Sequence, residues 1–412
     1  MSVVVVGGGP AGLACAVELR RRGVQDVLVL DREGQAGGIP RHCAHQGFGL
    51  RDLHRAMSGP QYARRYVELA RGAGARVREE ATVTGWSADG ELEVTSPEGR
   101  EALRPEAIVL ATGCRERPRA ARLVPGSRPP GVFTTGQIQQ LVELGVEGIG
   151  RRALVVGAEH VSFSAVVTLV HAGARVVGIT TELPQHQSLS VFRLGAKVRY
   201  RAPLWTRTAV SGIYGDSRVE EVELTEVDDG STRRVACDTV VFTADWIPDH
   251  ELAVTAGIEL DPGTRGPQVD TALRTTRQGV FAAGNLLHGA EPADVAALSG
   301  RHASVSVGRR LAGAEPWPDR RVPIACRPPL HWISPNAVSA SSPPPPRERF
   351  ALRSSAFVDR AEIEIRQGDR LLWRGRARRL VPGRSRLLPS GWIERVESEG
   401  TAIVVAVTGG SH

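Results

Sequence analysis

The chain has 412 residues, 41% of them hydrophobic and 24% charged, which is the balance of a soluble globular protein. This length exceeds what one ordinary hydrophobic core accommodates, so we expect two or three domains. The composition excludes an intrinsically disordered chain, and the 46 glycines follow no triplet period, which excludes collagen.

The formal net charge is +7, and nearly all of the positive charge is arginine, since Lys197 is the only lysine. The arginines are scattered among acidic residues and form no basic stripe, so we expect no nucleic acid among the partners. No apolar run approaches the ~20 residues that a membrane-spanning helix needs. The first apolar run, Val3 to Val6, is not preceded by the basic n-region of a signal peptide. These features predict a cytoplasmic protein without a membrane span.

The five cysteines stand apart in the sequence, and no two form a CxxC pair. This spacing excludes a thioredoxin-type redox pair, and it excludes a zinc or iron–sulfur site built from local cysteine ligands. We therefore predict no metal site. An odd number of widely spaced cysteines is typical of reduced thiols in a reducing compartment.

Two segments carry the pattern of a strand, a glycine turn, a helix and a second strand. In the first, residues 3–6 form a continuous apolar strand, 11–22 a helix and 27–30 the next strand. The second begins with the apolar strand 153–156 and turns at Gly157. Two such βαβ units in one chain predict two halves of one fold, each able to hold a nucleotide.

The first turn, Gly7-Gly8-Gly9-Pro10-Ala11-Gly12, fits the GxGxxG pattern of dinucleotide-binding folds. Gly7 permits the tight turn, Gly9 lets the backbone approach a pyrophosphate, and Gly12 lets helix and strand pack closely. Asp31 ends the second strand 19 residues after Gly12, where it can accept hydrogen bonds from ribose hydroxyls. The alternative is a purely structural βαβ turn.

Three further segments complete a family pattern: Gly37-Gly38, the strand and turn from Ile108 to Gly113, and Gly279-Val280-Phe281-Ala282-Ala283-Gly284-Asn285. Together with the first motif, they resemble the two-dinucleotide-binding-domain flavoproteins, the superfamily of the pyridine nucleotide–disulfide oxidoreductases. The resemblance covers about residues 1–325. It implies FAD, with the first motif on the pyrophosphate and Asp31 on the adenosine ribose. The family usually has Asp where Asn285 stands, and Asn can still hydrogen-bond a hydroxyl.

Finer features resemble the FAD-binding subunits of heteromeric dehydrogenases: residues 37–50, Ser58-Gly59-Pro60-Gln61-Tyr62-Ala63 and Gly284 to His288. Members of this group are found with opine oxidases, hydrogen cyanide synthase, and dye-linked proline and glycerol-3-phosphate dehydrogenases. The resemblance implies a small-molecule substrate and a partner, either a dehydrogenase subunit or an iron–sulfur protein. Many relatives carry a cysteine-rich C-terminal region for a cluster, whereas only Cys326 follows Cys237 here. Any iron–sulfur cluster is therefore expected on another chain, or is absent.

The residues that this resemblance assigns to FAD lie in short segments on either side of the second βαβ unit. They are Gly7, Gly9, Pro10, Ala11, Gly12, Asp31, Arg32, Gly38, Ile39, Val83, Ala111, Thr112, Gly113, Gly284, Asn285, Asp294 and Val295. The turn at Ala111 is expected to cover the cofactor. Asp294 and Val295 are expected to open a helix whose N-terminus points at flavin N1 and O2, where it stabilises reduced flavin.

The second glycine motif, Gly157-Ala158-Glu159-His160-Val161-Ser162, is broken. Glu159 replaces the second glycine, so its carboxylate would stand near a pyrophosphate of like charge and its Cβ would block the backbone. Glu182 follows Ser162 by twenty residues, where a ribose-binding acid belongs. We predict that NAD(P)H binding has been lost; the alternative is that Glu159 swings outward and the site works weakly.

Cys43 lies in the stretch where disulfide reductases place redox cysteines, and the neighbouring Arg41, His42 and His45 are expected to lower its pKa. Disulfide reductases use a pair of cysteines and none is present here, so packing in a loop beneath the flavin is favoured over a redox role. His42, His45 and His288 are the imidazoles that we expect nearest the flavin, either as bases toward substrate or as hydrogen-bonding contacts.

The sequence thus predicts an α/β fold with two Rossmann-like dinucleotide-binding domains and a small C-terminal β-rich module. The FAD domain is discontinuous, 1–119 and 267–330, and the NAD-like domain, 120–266, is inserted into it. Serine and proline dominate from Ser334 to Pro346, so 331–349 is interpreted as a linker. Residues 350–412 show strand-like alternation and are expected to form the β-rich module. We expect deletion of the segment after about Ser334 to leave FAD bound.

We expect an FAD-dependent oxidoreductase that oxidises a small organic substrate and passes electrons to an acceptor other than a nicotinamide. One alternative is a self-contained NAD(P)H-dependent reductase. Another is a non-catalytic FAD-bearing subunit whose partner performs the chemistry.

Overall fold

The computed structural model describes residues 2–188, 198, 200–289, 291–314, 316–340 and 342–411. It divides into two compact units. The first unit comprises Met1–Arg41, Gln46–Cys114 and Pro248–His412, and the second comprises His42–His45 and Arg115–Ile247. The chain therefore leaves the first unit near residue 114 and returns to it at 248, where the sequence predicts 119 and 267.

A five-stranded parallel sheet forms the centre of the first unit. Its strands, in spatial order, are Val280–Ala282, Ala107–Leu110, Val3–Val6, Val27–Leu30 and Arg76–Arg78. The helices of this unit are Pro10–Arg21, Gly59–Gly72, Glu251–Thr255 and Ala293–Leu311. All four valines of Val3–Val6 are buried, because helices cover both faces of a doubly wound sheet. This is the α/β architecture predicted from the sequence.

Three turns meet at the carboxyl end of this sheet. The backbone N–H of Gly7 donates to Leu30 O at 2.8 Å, that of Ala111 to Val6 O at 2.8 Å, and that of Ala283 to Leu110 O at 2.9 Å. The first residue of each turn is thus hydrogen-bonded to the last residue of the neighbouring strand. In open α/β sheets, ligands bind at this edge.

Smaller antiparallel elements flank the sheet. One group is Thr82–Trp86, Leu92–Ser96 and Gly99–Leu103, and another is Gln46–Phe48 with Met57–Ser58. Val83 lies in the first of these strands and is buried in the hydrophobic core.

The second unit contains its own parallel sheet. The strand order is Val132–Thr134, Thr239–Phe242, Arg152–Val156, Arg175–Thr180 and Leu204–Trp205. The helices Thr135–Glu143 and His160–His171 pack on it, and Thr208–Gly215, Val219–Glu226 and Thr232–Ala236 form an antiparallel sheet. The short strands Cys114–Glu116 and Trp246–Pro248 lie where the chain passes between the units. The second βαβ pattern in the sequence is therefore a folded Rossmann-like sheet.

Residues 322–411 form a β-rich region within the first unit. Its larger sheet is Ala337–Val338, Val322–Cys326, Ile403–Ser411, Val358–Gln367 and Arg370–Leu380, and its smaller sheet is Leu330–Ser334, Arg349–Ser354 and Arg386–Pro389. Short 3₁₀ segments occur along the chain at Ile39–His42, Arg119–Arg122, Gly284–Leu286, Pro346–Glu348 and Gly391–Arg395. We call residues 322–411 the C-terminal β region.

The segment 331–349, for which composition predicts a linker, belongs to this region, so that interpretation is wrong. It contains the strand Ala337–Val338 and most of Leu330–Ser334. Asn336 is buried and its Oδ1 accepts from Val269 N at 2.7 Å, while Ser339 donates to Asp270 Oδ2 at 3.0 Å. Strand pairing with distant residues decides this fold, and local composition does not show it.

Candidate functional site

The first glycine turn is shaped by close backbone contacts. Gly7 has φ +109°, and a Cβ there would lie 2.4 Å from Ala111 O. A Cβ on Gly12 would lie 1.9 Å from Gly7 O, so the helix Pro10–Arg21 packs against the turn without room for a side chain. Backbone contacts within the chain therefore require glycine at both positions, as the motif predicts.

Gly9 is different, because the protein leaves space around it. The nearest atom to a Cβ at this position would be Gly38 Cα, 3.9 Å away, and the backbone angles, φ −83° and ψ −175°, suit any residue. The helix behind it starts at Pro10 and has no acidic residue in its first turn. A helix N-terminus with open space in front of it favours an anion such as a pyrophosphate.

Asp31 is held at the end of its strand by two backbone N–H groups. Its Oδ2 accepts from Gly8 at 2.8 Å and its Oδ1 from Glu33 at 2.9 Å. Burial raises the pKa of Asp31, and these hydrogen bonds act in the opposite direction. The adjacent Arg32 is exposed and lies 3.8 Å from Asp249 Oδ2. Asp31 is therefore fixed beside the glycine turn, where the resemblance places a ribose.

The neighbouring loops border the same edge. Gly37 N donates to Gly8 O at 2.7 Å, so Gly38 lies against the glycine turn. Ile39, which follows, is an exposed apolar side chain at 59% accessibility. Thr112 donates to Asp249 O at 2.7 Å, which fixes the turn after Ala107–Leu110. An open cradle at Gly9, a fixed acid and an uncovered apolar side chain together fit FAD.

Asn285 and Asp294 have internal partners in this structure. Asn285 closes its own turn: Nδ2 donates to Glu291 O at 3.2 Å and Oδ1 accepts from Glu291 N at 3.0 Å. Asp294 is buried at the start of the helix Ala293–Leu311, accepts from Val295 N at 2.9 Å and pairs with Arg51 at 3.0 Å. Its negative charge is thus neutralised within the protein.

The second glycine turn repeats the backbone of the first but carries a different side chain. Glu159 has φ −94° and ψ −178°, close to the angles of Gly9. It is the N-cap of the helix His160–His171 and forms a capping box with Ser162, in which each side chain accepts from the backbone N–H of the other. Ser162 also shares a 2.6 Å hydrogen bond with Thr243. A carboxylate of the chain itself therefore lies at the N-terminus where a dinucleotide site needs a pyrophosphate.

Cys43 has surroundings opposite to those expected from its neighbours in sequence. It is buried, and its thiol donates to Gln139 Oε1 at 3.5 Å, while Gln139 donates to Ser164 at 2.9 Å. Burial, with Glu116 and Glu143 nearby, raises the pKa of Cys43 to about 12. The prediction that Arg41, His42 and His45 lower the pKa of Cys43 is wrong, because burial and the two glutamates raise it. The arrangement favours packing over redox chemistry.

We expect Cys43→Ser to retain turnover within ~2-fold, because serine keeps a donor for Gln139 and a thiol with so high a pKa is on the order of 10⁻⁴ ionised at pH 8. Alkylation followed by mass spectrometry would check this. Iodoacetamide should modify the half-buried Cys114 faster than Cys43 at pH 8. Rapid modification of Cys43 at that pH, or lost turnover in the serine variant, would contradict the structural role.

The three histidines fall into two groups. His42 and His45 are both half-buried, in the segment that belongs to the second unit. His288 is buried in the first unit, stacks on Trp332 with ring centroids 4.6 Å apart, and contacts Gly289 O at 3.2 Å through Nδ1. Burial lowers the pKa of His288, so it is neutral at pH 7. Its packing leaves His42 and His45 as the more accessible imidazoles.

Two buried polar groups have no counterpart among the motifs found in the sequence. Asp52 accepts from the hydroxyls of Tyr62 and Tyr66, both at 2.6 Å, and Arg301 donates to Tyr66 at 3.2 Å. In the sequence, the i, i+4 spacing of the two tyrosines could have indicated that they share one face of a helix. The other group surrounds Glu291 and had no local signal, since its partners lie more than sixty residues away.

Within the described ranges, no helix is long and apolar enough to cross a membrane. The described His, Cys, Asp and Glu residues include no group of three or more placed to hold a metal ion.

Residues 1–300 match the model of the family described as pyridine nucleotide-disulphide oxidoreductase. The HcnB subunit of hydrogen cyanide synthase from Pseudomonas aeruginosa is 26% identical over 333 residues, which are 74% of this chain and 70% of that subunit. An opine oxidase subunit of Agrobacterium tumefaciens is 28% identical over 335 residues, and the match covers 74% of this chain but only 64% of that protein. The structure of Lactococcus lactis thioredoxin reductase superimposes with a TM-score of 0.63 at 19% identity over 76% of this chain and 99% of that one, so the fold is shared.

Proposed function

Because the chain belongs to the pyridine nucleotide-disulphide oxidoreductase family, we propose that it is a dehydrogenase, or the FAD subunit of one, that does not use NAD(P)H. Proteins of this family are FAD-dependent oxidoreductases, which confirms the predicted cofactor and enzyme class. The proposed substrate is a small organic molecule of the amino acid, opine or hydroxy acid class. The proposed electron acceptor is a partner subunit or an iron–sulfur protein. The likeness to HcnB and to the opine oxidase protein, each of which is named as a subunit, supports a partner.

The observation that carries this proposal is the carboxylate of Glu159 in the second glycine turn. A pyrophosphate at that helix end would face a like charge, and one pair at about 4 Å and an effective dielectric near 20 costs about 4 kcal/mol. Ser162 and Glu159 already satisfy N–H groups that a dinucleotide would use. Gly9, with the same backbone angles, carries no such obstacle. One nucleotide turn therefore supports binding, and the other opposes it.

In this proposal the first unit binds FAD, which when bound supplies a two-electron acceptor for the substrate. The helix N-terminus at Pro10 and the backbone at Gly9 would hold the pyrophosphate, and Asp31 would accept hydrogen bonds from a ribose. The turns at Ala111 and Gly284 would border the cofactor. We propose His42 or His45 as the base that would take a proton from the substrate, since histidine is the most frequent general base in enzymes.

We expect micromolar NADH or NADPH to leave the wild-type flavin oxidised over milliseconds in a stopped-flow trace. Replacing Glu159 and Ser162 together with glycine should raise nicotinamide affinity by at least ~10-fold, because the repulsive charge and the capping box both disappear. Glu147→Gly, which removes an exposed acid from the same unit, is the matched control and should change nothing.

Rapid bleaching of the wild-type flavin by NADH would instead support a self-contained NAD(P)H-dependent reductase. Turnover of the isolated chain with an artificial dye acceptor distinguishes a catalytic dehydrogenase from a non-catalytic FAD-bearing subunit. No turnover with any amino acid, opine or hydroxy acid, despite a full flavin complement, would indicate a non-catalytic FAD-bearing subunit.

A further inference from the structure

Asn285 lies in the turn that follows the strand Val280–Ala282, and its side chain is hydrogen-bonded to the backbone of Glu291. Both ends of the Asn285 amide bond the backbone of Glu291, at 3.0 and 3.2 Å. On the other side, Gly284 has φ +74° and packs so closely on the first helix that a Cβ would lie 2.6 Å from Ala11 Cβ. The positions of Glu291 and Asn285 are therefore coupled by two hydrogen bonds.

The carboxylate of Glu291 is held by the C-terminal β region. Arg353 Nη2 lies 3.4 Å from Oε1, and the two side chains are only 10% and 14% exposed. The hydroxyl of Ser385 donates to the same oxygen and accepts from Arg353 Nε at 3.2 Å. Such a shielded pair is screened weakly by solvent, and removing one partner leaves a buried charge uncompensated.

Aromatic packing reinforces this contact. Trp332 stacks on the imidazole of His288, with ring centroids 4.6 Å apart, and the Cζ of Arg353 lies 5.1 Å from the centroid of the same indole. The side chains of the C-terminal β region therefore contact both Glu291 and His288, on either side of the same turn.

We propose that the C-terminal β region is a clamp on the Asn285 turn and sets the affinity for FAD, with Glu291 as the positioning residue. The inference rests on the proposed assignment of Gly284 and Asn285 to FAD. A turn held in one conformation before binding loses less conformational freedom when the ligand arrives. Loss of the clamp should therefore weaken FAD binding without removing any group that touches it.

The test is a titration of apo-protein with FAD, followed by flavin fluorescence, together with the thermal midpoint of each apo variant. Glu291→Ala should raise the Kd for FAD by ~10-fold, about 1.4 kcal/mol, and Glu291→Gln by less, since the amide keeps a hydrogen-bonding oxygen. Arg353→Ala should act on the same contact, so the double variant should weaken binding by less than the product of the two single effects.

Glu364→Gln is the matched control. Glu364 is a buried carboxylate of the same β region and is held by Arg366 and Arg374, which belong to the larger sheet and make no contact with Glu291. It should lower the apo thermal midpoint and leave the Kd for FAD unchanged. A rise in Kd with Glu364→Gln equal to that with Glu291→Ala would mean that general stability, and no clamp, controls binding.

Asn285→Ala distinguishes a failure of the clamp from a failure of the assignment of this turn to FAD. If Asn285→Ala raises the Kd and Glu291→Ala does not, the clamp is wrong while the FAD assignment stands. If neither variant changes the Kd, the assignment of this turn to FAD fails and the clamp fails with it. Increases in both, with Glu364→Gln silent, support the proposal.

Discussion

Gly9→Leu is expected to yield a folded protein that has lost its yellow colour, with FAD affinity reduced by at least ~100-fold. The side chain would fill the space before the helix N-terminus and exclude the pyrophosphate. The fold should tolerate it, because the angles at Gly9 suit any residue and the nearest atom to a Cβ is 3.9 Å away. Flavin absorbance measures the first effect, and the far-ultraviolet circular dichroism of the apo-protein measures the second.

Gly34→Leu is the control, since Gly34 is an exposed glycine with no atom within 4 Å of its Cβ position. It should retain a full flavin complement. Gly12→Ala provides the contrast: its Cβ would lie 1.9 Å from Gly7 O, so it should destabilise the first unit itself. A full flavin complement in Gly9→Leu would show that the pyrophosphate binds elsewhere.

Truncation after Ser334 is expected to produce an aggregated protein without FAD. The cut leaves Val322–Cys326 and Leu330–Ser334 without the strands Ile403–Ser411 and Arg349–Ser354 that pair with them. Exposing one large apolar side chain costs about 1.5–3 kcal/mol of burial free energy. The sum over a few such side chains approaches the total free energy of unfolding of a typical domain, about 5–15 kcal/mol. Exposed apolar strand edges then favour aggregation. Sedimentation and flavin content measure the outcome.

Removal of only Ser411 and His412 is the control and should leave both solubility and flavin unchanged. Should the protein truncated at Ser334 stay soluble and yellow, the interpretation of 331–349 as a linker would be restored. That result would also remove the basis for a clamp, because Arg353 and Ser385 would be absent.

The parts of the fold that sequence reasoning predicted are those in which neighbours in the chain determine the structure. The first glycine turn requires glycine at positions 7 and 12. A Cβ at Gly12 would clash with Gly7, five residues away, and a Cβ at Gly7 would clash with Ala111, at the end of the adjacent strand. The break at Glu159 was visible for the same reason, since charge and Cβ are properties of the residue itself. The capping box with Ser162 satisfies backbone N–H groups of this turn from within the chain.

The predictions that failed depend on distant residues. The pKa of Cys43 is governed by burial, Glu116 and Glu143, none of which follows from the adjacent Arg41 and His42. The serine and proline content near Ser334 indicated a linker, but pairing with strands that lie far along the chain decided the outcome. Glu291 could not be recognised at all, because its role comes from Arg353 and Ser385.

The two turns with matching backbones also differ in what their stability depends on. The helix that begins at Pro10 has no acid of its own at its N-terminus, so the free energy of unfolding of the first unit rises with the concentration of FAD. The helix that begins at His160 carries its counter-charge in Glu159, so under the proposed loss of NAD(P)H binding the second unit gains no such stabilisation from a nucleotide. When flavin is scarce, the first unit is therefore the half of the chain whose unfolded population grows and which proteases reach first.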